Sequence, residues 1–157
     1  MHQKITPMLW FNDKAEDAAK FWVSIFKDAK ILETTYYGEG SPAPGKVLVV
    51  KFQLEGQEYT ALNGLQDYPF SEAVSLMIHC KDQKEVDYYW DKLLAGGGEP
   101  IACGWLKDKF GFRWQVTPDV LLKYINDKDK AKAKRAMDAM MQMVKIDIAA
   151  IEKAYKG

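Results

Sequence analysis

The stretch ITPMLWFNDKAEDAAKFWVSIF, residues 5–26, decides the fold. Its first seven residues form a short apolar run with strand character, ended by Asn12-Asp13. Residues 14–26 then read as a helix. Ala15, Ala18, Ala19, Trp22 and Phe26 recur at spacings of three and four, and Asp13 stands where an N-cap belongs. Three strand-like runs follow, 30–37, 46–54 and 57–63. Glycine and proline in 38–45 make that segment a loop, and Glu55-Gly56 signals a tight hairpin.

The same order then recurs. Residues 73–80 read as a strand, and 82–94 as a helix capped by Asp82 with Val86, Tyr89, Trp90 and Leu93 on one face. After Gly96-Gly97-Gly98 come short strands at 99–105, 106–109 and 112–117, turning at 109–111. A shift of 69 residues places Thr6 on Ser75, Met8 on Met77, Asp13 on Asp82 and Glu16 on Glu85. Matching element order makes this weak internal repeat persuasive. Residues 119–125 predict a short helix, and a single long helix is expected from about 129.

Composition sets limits on function. The 157 residues are 48% hydrophobic and 28% charged, ordinary for a folded protein. Lys+Arg and Asp+Glu are each 22, so the broad positive field that nucleic acid demands is missing. No apolar run approaches the roughly 18 residues of a membrane span. Two cysteines, Cys80 and Cys103, give no disulfide framework, and the first residues lack a secretory apolar core. A reduced, cytoplasmic protein is expected, with no membrane and no nucleic-acid partner.

The run 5–26 resembles the first βαβββ module of the vicinal oxygen chelate superfamily, which includes glyoxalase I, extradiol dioxygenases and antibiotic-resistance binding proteins. It is more closely similar to the PhnB-like branch, often labelled demethylubiquinone methyltransferase-like. The segments EAVSLMIHCKDQKEVDYYWDKL and CGWLKDKFGFRWQVTP, and the ending MVKIDIAAIEKAYKG, resemble that branch too. The resemblance implies an α+β fold: two βαβββ modules, about 1–66 and 70–118, each curving a sheet around a cup. Residues 119–157 would form a C-terminal helical extension of the same unit. It also implies modules that pair, commonly in a homodimer.

Superfamily chemistry rests on a metal held by His or Glu on the first and last strands of each module. Carried over by position, the four places fall on Thr6, Asn63, Ser75 and Gln115. Neutral hydroxyl and amide oxygens are poor substitutes for imidazole, thiolate or carboxylate. The expectation is therefore no metal and no cofactor. Period-two alternation would put Met8 and Trp10 with Thr6, Ala61 and Tyr59 with Asn63, Met77 and His79 with Ser75, and Arg113 and Thr117 with Gln115. Such a mixed lining suits a small-molecule pocket. Thr6, Trp10, Asn63, Ser75, His79, Cys103, Trp105 and Gln115 are the candidate ligand-binding residues.

Among reactive groups, His79 has only Cys80 and Lys81 beside it in sequence, neither a good base partner. Cys103 reads as a buried, inert thiol, with Arg113 able to approach it across the strands. The glycine clusters 38–40 and 96–98 do not lie between a strand and a following helix, so they make no nucleotide-binding turn. Met137, Met141, Val144, Ile148, Ile151 and Tyr155 are spaced like a heptad seam, thickened by Met140, and a buried partner for that seam is expected. The reading is a PhnB-like protein that binds an unknown small molecule in the cup without a standard metal site. Two alternatives stand beside it. One is a metal-independent or atypical-metal enzyme, methyl transfer being disfavoured. The other is an interaction module with a closed cup.

Overall fold

Three alanines let the first helix approach its sheet closely. In the computed structural model, which describes residues 3–157, α1 (Ala15–Val23) buries Ala15, Ala18, Ala19 and Trp22. The Trp22 ring lies 5.7 Å from Phe52 and 6.2 Å from Phe11. The sheet beneath comprises β1 (Met8–Phe11), β2 (Ala29–Tyr36), β3 (Val47–Leu54) and β4 (Gln57–Asn63), in the order β1-β4-β3-β2. β1 runs parallel to β4, and the remaining pairs are antiparallel. The β3–β4 hairpin turns at Glu55 and Gly56, both at positive φ (47° and 81°), the conformation a two-residue turn requires. These elements make up a first compact unit, ending at Pro69.

The second unit, Phe70–Gly157, repeats the plan and extends it. β5 (Leu76–Cys80), α2 (Gln83–Leu94), β6 (Glu99–Pro100), β7 (Trp105–Lys107) and β8 (Arg113–Pro118) give the sheet order β5-β8-β7-β6, with β5 parallel to β8. Asp82 caps α2 by accepting from the Glu85 amide at 2.9 Å, while the Glu85 carboxylate takes the Lys81 amide at 3.0 Å. Val86, Trp90 and Leu93 of α2 are buried, as are Leu106, Trp114 and Val116 of the sheet. Asp108 organises the β7–β8 turn. Its Oδ1 accepts the amides of Phe110 and Phe112, and its Oδ2 accepts Trp114 Nε1 at 2.8 Å. The twin α+β modules and the C-terminal helical extension expected from sequence are both present.

The extension is not one long helix. It is α3 (Asp119–Ile125), α4 (Lys130–Met140) and α5 (Ile148–Lys156). Asp147 caps α5 by accepting the Ala150 amide, just as Asp129 caps α4 through the amides of Ala131 and Lys132. A second strong capping residue restarts the helix and divides the expected seam. Leu121, Ala136, Ile146 and Ile151 form a small core of their own, joined by Met140, Met143 and a stacked Tyr124–Tyr155 pair 4.0 Å apart. Gln83 ties α2 to this layer, donating to the Ile146 carbonyl and accepting the Ile148 amide. Met137, Met141 and Val144 instead stand 38%, 58% and 51% exposed.

Substitution of the two kinds of position separates them. Ile151→Ala should cost about 2–4 kcal/mol by opening a cavity in a filled core. Met141→Asp should stay within about 0.5 kcal/mol of wild type. Urea denaturation of both variants checks this, and equal losses would restore a continuous buried seam.

Candidate functional site

Burial by the helices decides which side of each sheet is open. In the first unit, Leu9, Phe11, Val50, Phe52, Tyr59 and Ala61 are all buried beneath α1. The register pairs Leu9 with Ala61, Phe11 with Asn63, and Phe52 with Tyr59. Asn63 therefore shares the helix side with Tyr59 and Ala61, and not the side of Met8 and Trp10. Residues paired with Met8 and Trp10 are Thr60 and Leu62, and these hold the opposite face of β4, where Thr60 is itself buried.

Asn63 has a different task. It is 5% exposed. Its Oδ1 accepts the Ala15 amide at 2.8 Å, its Nδ2 donates to the Val47 carbonyl at 3.1 Å, and its own carbonyl accepts the Tyr37 hydroxyl at 2.6 Å. The side chain thus serves as a remote N-cap of α1. The expected cap, Asp13, makes none: Lys14 occupies the cap position without a side-chain bond. The two module registers explain the misplacement. Met8 opposes Thr60 as Met77 opposes Gln115, so the first-unit counterpart of Gln115 is Thr60. The hairpin at Glu55-Gly56 could have revealed this. It pairs Phe52 with Tyr59, and Phe52 is plainly a core residue.

The other first-unit candidates are less engaged. Thr6 is exposed and precedes β1. Trp10 is half-buried, with Nε1 donating to the Gln66 carbonyl at 2.7 Å and its ring edge-on to Tyr68 at 5.3 Å. Gly64 permits that placement, since a Cβ there would come within 1.9 Å of the indole.

The second unit follows the expected alternation. Leu76, Ile78 and Cys80 pair with Trp114, Val116 and Pro118 on the α2 side, leaving Met77 and His79 opposite Gln115 and Thr117 on the other face, which is open except at the buried Thr117. Gln115 Nε2 donates to Ser75 Oγ at 2.9 Å, so the structure joins these two candidates directly. Trp105 is paired with Gln115 across the β7–β8 ladder and is half-buried. His79 has a partner the sequence did not suggest. Its Nδ1 lies 2.9 Å from Asp119 Oδ1, at the start of α3. Both side chains are well exposed, so the pair adds little stability.

Arg113 does not approach Cys103. Its guanidinium binds Glu72 Oε1 at 2.6 and 3.1 Å and the Phe70 and Gly111 carbonyls. That contact holds the Glu72 carboxyl below its ordinary range. Cys103 is half-buried rather than buried, in a positive-φ turn (60°) before β7, with its Sγ on Met141. Cys80 is the inert thiol: burial, with Glu85 and Asp119 beside it, pushes it up to about 12.

The donor set does not fit the metal that the resemblance implies. Ser75 and Gln115 bond each other, and Asn63 is spent on backbone groups. Hydroxyl and amide oxygens of this kind do not offset the lost hydration of a transition metal. Among the described residues, no group of three or more His, Cys, Asp or Glu is placed to hold a metal ion.

Removal of the Asn63 amide should therefore destabilise the fold. Asn63→Leu orphans the Val47 carbonyl and the first amide of α1, a cost of about 2–4 kcal/mol. Gln115→Leu, on a half-buried open face, should cost under about 1 kcal/mol. Thermal denaturation of both variants checks the contrast, and an Asn63→Leu protein as stable as wild type would contradict the clamp.

Comparison with known proteins agrees with this fold. The 3-demethylubiquinone-9 3-methyltransferase family matches residues 3–117, leaving 118–157 outside the matched range. No curated protein matches the chain. A PhnB protein from Bacillus cereus is 33% identical, with a TM-score of 0.68 over 74% of this chain and 99% of that one. A protein from Pseudomonas aeruginosa, 18% identical, superposes with a TM-score of 0.61 over 74% of this chain and 98% of its own. The fosfomycin resistance protein FosX from Listeria monocytogenes, 15% identical, gives 0.51 over 75% and 93%; these last two share the fold. The chain belongs to the PhnB-like, 3-demethylubiquinone-9 3-methyltransferase family.

Proposed function

We propose that this protein binds a small organic molecule on the open face of its second sheet, using neutral polar groups and no standard metal site. The observation that carries the reading is the Ser75–Gln115 hydrogen bond, formed where the superfamily resemblance implies metal ligands. Around it lie Met77, Trp105 and His79, an apolar and aromatic surface with a few polar groups, the usual composition of a ligand site. A ligand with one donor and one acceptor can replace the Ser75–Gln115 bond without leaving either group unpaired. Trp10, on the open face of the first sheet, is the corresponding aromatic surface there.

Methyl transfer from a nucleotide-like donor lacks support from the fold. Gly38 and Gly40 lie between antiparallel β2 and β3, and Gly96–Gly98 follow α2 and precede β6. A dinucleotide-type turn runs from a strand into a helix, within a doubly wound parallel sheet. Neither sheet here has that order.

A metal-independent enzyme is the second reading, favoured by the His79–Asp119 contact. A carboxylate on Nδ1 fixes the imidazole and leaves Nε2 available as a base on the same face. No helix among the described residues is long and apolar enough to cross a membrane. The resemblance supports a homodimer. Sedimentation at micromolar concentration should then give about twice the 17.9 kDa chain mass, and a single-chain mass would end that reading.

A metabolite thermal-shift screen tests the binding reading. Hits should raise the melting temperature of wild type by mass action and lose that effect in Gln115→Leu. His79→Gln should retain the shift if the face only binds, and should retain it but lose turnover of the hit if the face catalyses. A hit whose shift survives both Gln115→Leu and Ser75→Ala places the site elsewhere.

A further inference from the structure

One row of the second sheet sets an amide between a thioether and an indole. Met77 on β5, Gln115 on β8 and Trp105 on β7 are register partners across adjacent strands, so they stand side by side on one face. Gln115 spends one amide N–H on Ser75 Oγ at 2.9 Å. Among the described residues, its Oε1 and the Trp105 Nε1 have no hydrogen-bond partner. Both residues are half-buried, yet no enclosed side-chain polar atom is left unpaired, so these two atoms reach solvent. The Trp105 ring also meets no other ring, unlike Trp10, Trp22 and Trp114.

Charge on this face is already paired. Arg113, next along the same side of β8, is 14% exposed and gives its guanidinium to Glu72 and to two carbonyls. Lys107 Nζ lies 2.9 Å from Glu99 Oε1, and His79 meets Asp119. An anion laid on the central row would face no unopposed cation. Recognition there falls to hydrogen bonds and ring contact.

Neighbouring strands stand about 4.8 Å apart, so Met77 and Trp105 flank Gln115 with about 9.6 Å between their backbones. A flat ring in contact on both faces needs about 7–8 Å. The space above Gln115 therefore suits one planar ring standing on edge, with thioether on one side and indole on the other. The edge that meets Gln115 must offer a donor to Oε1 and an acceptor to the remaining N–H. A cis amide presents that pair. The Ser75 bond uses the other N–H and need not break.

We infer that this face takes an uncharged planar ring with a cis-amide edge, a lactam or cyclic imide. Gln115 reads the edge, and Met77 and Trp105 hold the ring. The inference rests on the small-molecule reading of the same face and narrows its ligand class.

The test is calorimetric titration of the full-length protein with three probes of similar size. Isocarbostyril carries the lactam edge, N-methylisocarbostyril lacks its donor, and naphthoate carries a negative charge. Isocarbostyril should bind, and the other two should bind at least about tenfold more weakly, as loss of a matched hydrogen bond requires. Gln115→Leu and Trp105→Leu should each weaken isocarbostyril by a similar factor. Equal affinity for the N-methyl or the anionic probe would overturn the proposal. So would isocarbostyril binding left undiminished in either variant. If wild type ignores isocarbostyril while metabolite-screen hits still depend on Gln115, this ligand class is wrong and the binding reading stands. If no hit depends on Gln115 either, both fall.

Discussion

Burial of one face of each four-stranded sheet under a helix is the constraint on which the rest depends. Because side chains alternate across a strand, whatever packs under α1 or α2 dictates what the opposite face can offer. In the first unit the small Ala15, Ala18 and Ala19 bring α1 close, and Trp22 fills the remaining space against Phe52 and Phe11. In the second, Val86, Trp90 and Leu93 lie on the α2 side with Leu106, Trp114 and Val116. The open faces are what is left, and in the second unit they carry Ser75, Met77, His79, Gln115 and Trp105.

Most of the fold was legible in the sequence, because its signals were local. Residues 5–26 display a strand-to-helix change of period, and the 69-residue shift repeats it. The face each candidate residue holds was legible in one unit and not in the other. Alternation counted from Gln115 reached the right face because β8 is buried on one side in an unbroken pattern of Trp114 and Val116. Alternation counted from Asn63 reached the wrong face. A polar residue at a strand end looked like a site residue, when it was closing a helix N-terminus across 48 positions of sequence. Tertiary hydrogen bonds of that kind leave no local signature. The same holds for His79 and Asp119, which are 40 residues apart. The broken C-terminal helix is different: Asp147 caps α5 through the Ala150 amide, a local signal that heptad spacing alone does not register.

The open face of the second sheet carries neutral polar groups. Ion ligands at the strand positions would need charge and open coordination. Ser75 and Gln115 instead satisfy each other, so they remain stable without any ligand and can exchange that bond for one to a bound molecule. Buried clamps such as Asn63 and Asp108 hold the strand ends and turns that frame each sheet. The polar groups of the open face are thereby kept apart from those that stabilise the fold.

Native mass spectrometry of protein purified without added metal tests the central claim most directly. A neutral ligand face predicts a mass equal to polypeptide plus, where one is retained, an organic molecule that is lost in Gln115→Leu. A stoichiometric zinc, nickel or iron that disappears with Gln115 would contradict it, because an ion would then occupy the place assigned to an organic ligand.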